Sequence, residues 1–164
     1  MKKFLAALIL VSAVLCPLFA EEAKQVIVVD APKTWKVEFK GDKGMQVYTL
    51  TRKGNDAALL MFSRWPAPGT VKQIPEQIEA LAEGFIEIAK DQKGLNLKSD
   101  QYKIEKIDGE TFSGSFVKFE IEGGITQTMF MIGYKEGIWN GQFTGTKEQW
   151  AEALAIVKKL KKKG

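Results

Sequence analysis

The chain has no histidine and a single cysteine, Cys16, among its 164 residues. Without histidine there is no imidazole to activate a serine or cysteine nucleophile and none to ligate zinc. A lone cysteine forms no internal disulfide, even in a compartment that would permit one. Arginine is almost as scarce, with only Arg52 and Arg64. Long apolar runs are missing as well: the stretch from Phe4 to Ala20 is shorter than the roughly 20 residues that cross a bilayer comfortably. Phosphate-cradling fingerprints of the Walker or Gly-x-Gly-x-x-Gly type are absent. Gly54-Asn55-Asp56 and Asp108-Gly109-Glu110 lack the alternating ligands and closing glutamate of a calcium loop, so both read as turns.

What is present at the start is directional. Met1-Lys2-Lys3 is a basic head, Phe4 to Leu15 is almost wholly apolar, and Ala20 precedes Glu21-Glu22. That pattern predicts a secretory signal peptide over 1–20, cut after Ala20. Two readings compete with it, a retained anchor and lipid attachment at Cys16. Leu15 is larger than the small residue that bacterial lipoprotein signals place before the cysteine. The cut removes Cys16 and leaves 21–164 as one domain, large enough for a core of its own. It also removes Lys2 and Lys3 from a chain with 24 Lys and Arg against 20 Asp and Glu. Five of the remaining lysines, Lys158, Lys159, Lys161, Lys162 and Lys163, sit in the tail, and without them the mature chain is slightly acidic. The high isoelectric point is therefore local to one end, and nucleic acid is not an expected partner.

Along the mature chain the patterning alternates between strand and helix. Gln25 to Asp30 reads as a short β-branched strand. Thr34 to Lys40 alternates Trp35, Val37 and Phe39 with Lys36, Glu38 and Lys40, the mark of a half-buried strand. Met45 to Arg52 and Ala57 to Trp65 flank a turn centred on Gly54-Asn55, which sets Val47 opposite Phe62, Tyr48 opposite Met61 and Leu50 opposite Leu59. The second of these strands is apolar on both faces, as in a central strand covered on both sides. Ile74 to Lys93 predicts an amphipathic helix with Ile74, Ile78, Leu81, Phe85 and Ile88 inward. Gly84 within it predicts a close approach to the sheet. Four further strands follow, over 102–107, 111–122, 125–134 and 138–144, the middle two joined at Gly123-Gly124. Thr146 and Gln149 then stand at capping-box spacing, ahead of a helix burying Trp150, Ala153, Leu154, Val157 and Leu160.

The fold class expected is α+β: a mostly antiparallel sheet of about seven strands flanked by two main helices. Pro32-Lys33-Thr34-Trp35 at an early strand entry, and Gly137-Ile138-Trp139 opening the last strand before a helix with Trp150, resemble the Mog1/PsbP-like α/β/α sandwich family. The resemblance spans about residues 25 to 160 and rests on packing motifs. Members of that fold serve photosystem assembly, small-GTPase binding and bacterial envelope functions. It implies an accessory or binding role and carries over no catalytic residue.

Candidate sites are few. Glu120 and Glu122 share a strand face with Lys118 and read as its solvated side. Ser63, Ser99, Ser113 and Ser115 have no histidine to activate them. In the register given above, Arg52 lies opposite Ala57 and Arg64 opposite Met45, at opposite ends and on opposite faces of the hairpin. The two should not clamp one anion. The lysine tail reads as a solvated helix end favoured by the helix dipole, with a weak contact to an anionic surface as its functional alternative. Trp65-Pro66-Ala67-Pro68-Gly69 is a rigid loop, and Trp65, Pro66 and Pro68 are the candidate partner-binding residues. The sequence thus predicts an exported, periplasmic or secreted, monomeric binding or accessory protein of the bacterial envelope. It predicts no cofactor and no catalysis, and an unknown protein or envelope component as partner. A hydrolase using carboxylates or a Ser-Lys pair is the alternative.

Overall fold

Period-two patterning becomes a sheet because each strand needs one apolar face covered, and here seven strands share that cover. The computed structural model describes residues 25–41, 45–54, 58–64, 71–90, 97, 102–121, 123–134 and 137–163. In chain order the strands are β1 (Ile27–Val28), β2 (Trp35–Gly41), β3 (Gln46–Arg52) and β4 (Leu59–Arg64). A 3-10 turn, Val71–Gln73, leads into α1 (Ile74–Lys90). Then come β5 (Ile104–Asp108), β6 (Ser113–Ile121), β7 (Ile125–Tyr134), β8 (Gly137–Gly145), α2 (Lys147–Lys158) and β9 (Lys161–Lys162).

The large sheet runs β2-β3-β4-β8-β7-β6-β5, with every neighbouring pair antiparallel. It consists of two meanders, β2-β3-β4 and β5-β6-β7-β8, joined where β4 meets β8. The expected α/β/α sandwich is what the chain forms. α2 lies on one face and α1 on the other.

The α2 face is closed. Tyr48, Leu50, Leu60, Phe62, Phe130, Trp139 and Phe143 from the sheet pack with Trp150, Ala153, Ile156 and Val157 of α2. The Thr146–Gln149 capping box forms as its spacing predicts, with both reciprocal hydrogen bonds made. At this face β1 and β9 add a two-stranded ribbon, and the Tyr48 hydroxyl donates to the Ile27 carbonyl at 2.9 Å.

Two sequence expectations are corrected here. The β3–β4 register is displaced by one residue, so Tyr48 pairs with Phe62 and Leu50 with Leu60. A one-residue slip moves every side chain of a strand to the other face. The expected register would have sent Leu60 and Phe62 away from Tyr48 and Leu50. The observed one stacks the Tyr48 and Phe62 rings at 5.1 Å inside a single core.

The second correction concerns α1. Its buried stripe is Ile74, Ile78, Ala82, Ile86 and Ala89, while Leu81 is 42% and Ile88 55% exposed. Alanines against the sheet let the helix lie close, and the helix is rotated so that the larger Leu81 and Ile88 fall on its flank. Gly84 is exposed, with nothing within 4 Å of where a Cβ would stand, so close packing in this chain does not explain it.

Candidate functional site

The lysine tail carries five lysines within six residues, and its local structure differs from a continuing helix. α2 ends at Lys158 because Lys159, at φ −94 and ψ 0, closes the last turn: its N–H donates to the Ile156 carbonyl and the Leu160 N–H to the Val157 carbonyl, each at 3.1 Å. Leu160 then turns fully inward. Burying Leu160 draws the chain down onto β1, where Lys161 pairs with Val28 and Lys162 with Ile27. The Lys163 N–H donates to the Val26 carbonyl at 2.7 Å. The expected solvated helix end is thus a strand, fastened to the N-terminal strand and to the core beneath it. Lys158, Lys159, Lys161, Lys162 and Lys163 are all exposed.

Beside this ribbon, at the end of the sheet where β4 finishes, Val26, Ile27, Arg64, Tyr134, Gly137, Trp139 and Lys162 line a small surface slit. Arg64 and Lys162 bring positive charge to it. Tyr134 and Trp139 give it aromatic walls, and burial pushes the Tyr134 phenol up to about 12, the nearby Thr111 hydroxyl only partly offsetting this. A phenol raised that far stays neutral. Lys161 carries a salt bridge to Glu110 at 2.9 Å, with both side chains more than half exposed. The slit admits no more than a water, so an anionic group would meet the exposed lysines around it rather than enter it.

The chain matches no family model and no curated protein. The site therefore has to be read from its own geometry.

Of the sequence candidates, Trp65, Pro66 and Pro68 lie outside the described residues, as does Glu122. Glu120 is exposed, accepting from the Thr126 hydroxyl at 3.1 Å and pairing with Lys118 at 3.3 Å. Ser115 is buried, and its cross-strand neighbour Lys106 is exposed. The arginines are far apart as expected, at opposite ends of β3–β4. The displaced register, however, puts them on the same face of the sheet. Arg52 is committed elsewhere: its Nε donates to Glu152 Oε2 at 3.0 Å and its terminal nitrogen to Oε1 at 3.2 Å. Trp35 Nε1 donates to the same carboxylate at 3.3 Å. Among the described residues, no three of His, Cys, Asp and Glu converge as a metal site, and no helix is long and apolar enough to cross a membrane.

Sequence reasoning placed a strand around β1 but missed its partner β9, because a two-residue strand has no periodicity to detect. One signal did point to it. Leu160, an apolar residue between lysine pairs, needed a place to be buried.

Proposed function

We propose that this is an exported, soluble binding or accessory protein of the bacterial envelope, and that its lysine-rich end touches an anionic surface there. The observation that carries the reading is the ribbon itself. Five lysines within six residues run from the end of α2 through β9, where Lys161 and Lys162 pair with β1, next to Arg64. A lysine near an anionic membrane contributes about 1 kcal/mol. Holding their backbone in the end of α2 and in β9 lowers the conformational entropy lost on contact. Export is supported by the basic head and apolar run of residues 1–20, and the Mog1/PsbP-like resemblance fits an accessory role, by analogy of fold alone.

Co-sedimentation of the mature protein with phosphatidylglycerol vesicles, against phosphatidylcholine vesicles, tests the reading. Binding to the anionic vesicles alone, weakening with salt and lost when the five tail lysines are changed to glutamine, supports it. Equal binding to both vesicle types, or to neither, contradicts it. A hydrolase screen on the same preparation separates this reading from the enzymatic one, since robust turnover abolished by a single carboxylate or serine substitution would overturn the accessory role.

A further inference from the structure

β2 is an edge of the large sheet, with β3 as its one strand neighbour among the described residues. In an antiparallel pair, successive residues turn their backbone groups toward the neighbouring strand and away from it by turns. The Lys53 N–H donates to the Thr34 carbonyl at 2.8 Å, so Thr34, Lys36, Glu38 and Lys40 turn theirs toward β3. Trp35, Val37, Phe39 and Gly41 turn theirs outward. The Trp35 N–H is already used there, donating to the Pro32 carbonyl at 2.8 Å in the turn that brings the chain into β2. From Val37 to Gly41 the outward groups face no strand among the described residues.

An exposed edge is commonly blunted by a proline, a bulge or unopposed charge. The stretch from Lys36 to Gly41 has no proline, and its register with β3 runs without a bulge. Its charged residues share one face, all exposed, and alternate in sign: Lys36, Glu38, Lys40. Lys36 and Glu38 pair at 2.8 Å. On the other face Val37 is 40% exposed, and Phe39 is half-buried with its ring 4.9 Å from that of Tyr48.

We propose that β2 pairs with β2 of a second copy of this chain, antiparallel about a two-fold axis that passes through Phe39 perpendicular to the sheet. Phe39 then exchanges both backbone hydrogen bonds with its counterpart, and Val37 bonds to Gly41 of the second copy. Between these pairs Glu38 stands directly opposite Lys40 of the second copy, at the closer spacing of a non-hydrogen-bonded pair. The joined charges form a chequerboard, in which Glu38 keeps Lys36 and gains a lysine from across the axis. On the other face the two Phe39 rings meet at the axis as a cross-strand aromatic pair.

Charge and chain path exclude the neighbouring registers. With Glu38 at the axis, Glu38 faces Glu38 and Lys36 faces Lys40, and like charges directly opposite are destabilising. With Val37 at the axis, Phe39 of the second copy calls on the Trp35 N–H, which is committed to Pro32. The complementarity of β2 with itself is what names a second copy as the occupant, although the sequence alone predicts a monomer.

An overlap from Val37 to Gly41 is about 16 Å long, at the small end of specific contacts, with pairing expected at high micromolar concentration. Sedimentation equilibrium of the mature protein from about 10 µM to about 1 mM tests it, because pairing in this range is concentration-dependent. The expected result is a monomer–dimer equilibrium weakened at least fivefold by Lys40→Glu or by Glu38→Lys. The two changes made together should restore it, since they exchange the charges that face each other. Val37→Pro removes an outward N–H and leaves the hydrogen bonds between β2 and β3 in place, as proline on an edge strand does. It should abolish pairing while the melting temperature of the dilute protein stays near wild type. A wild-type monomer throughout overturns the proposal, as does a dimer indifferent to Lys40→Glu or to Val37→Pro. The pairing leaves the lysine ribbon of β9 unused, so pairing and vesicle binding can fail independently.

Discussion

At the scale of single residues, two glycines show how differently one residue type can be used. Gly141 faces Phe130 across the β7–β8 pair, and an added Cβ would come within 2.0 to 2.4 Å of the phenyl ring. The ring fills the space left by the missing side chain. Gly141→Ala is therefore predicted to destabilise the fold by about 1–3 kcal/mol, as overpacking of a filled core does. Gly84 has open space around it in a helix interior, where glycine costs about 1 kcal/mol relative to alanine. Gly84→Ala should stabilise the chain by about 0.5–1 kcal/mol. Urea denaturation of both variants checks the pair, and shifts of the same sign would contradict the packing described for at least one of them. Neither outcome was legible in the sequence. A glycine does not announce whether its missing side chain is replaced by a neighbour or by water.

At the scale of elements, the sequence was most informative where a signal is local. The Thr146–Gln149 capping box and β7, from Ile125 to Tyr134, form where patterning and turn chemistry place them. It was least informative where the decision belongs to two elements at once. The β3–β4 register depends on which residues of both strands can share a face. The rotation of α1 depends on how close Ala82 and Ala89 allow it to the sheet.

The Arg52–Glu152 pair is of the same kind, joining the end of β3 to α2 across 100 positions of sequence. Its hydrogen bond from Arg52 holds the Glu152 carboxyl below its ordinary value of 4.5. A carboxylate whose folded value is lowered adds stability that is complete above the unfolded value and lost as pH falls through the folded one. Both side chains are partly exposed, at 26% and 43%, so the contribution is about 0.2–1 kcal/mol. Glu152→Gln should lower stability by that amount at pH 7. The gap from wild type should close as pH drops below 4.5, read by urea melts at pH 7 and pH 3. A gap of equal size at both pH values would show that the pair's charge is irrelevant.

At the scale of the molecule, the fold class was readable because strands, turns and helices appear in an order that few architectures accept. Two meanders separated by one helix, with a second helix at the end, close into a sandwich. The proposed lysine surface was less readable, since it comes from parts that the fold brings together, β1 with β9. Export belongs to this scale too. A cut after Ala20 predicts that the intact mass of the exported protein matches a chain starting at Glu21, whereas retention of Met1 or acyl groups on Cys16 would contradict it.

The most direct measurement of the central claim is made in the living envelope, with a photo-crosslinking side chain placed at Lys159 or, as control, at Lys53 at the far end of the sheet. Phospholipid adducts found by mass spectrometry at position 159 and not at 53 are the predicted result. Equal labelling at both positions, or none at 159, would contradict the assignment of the lysine ribbon as the contact surface.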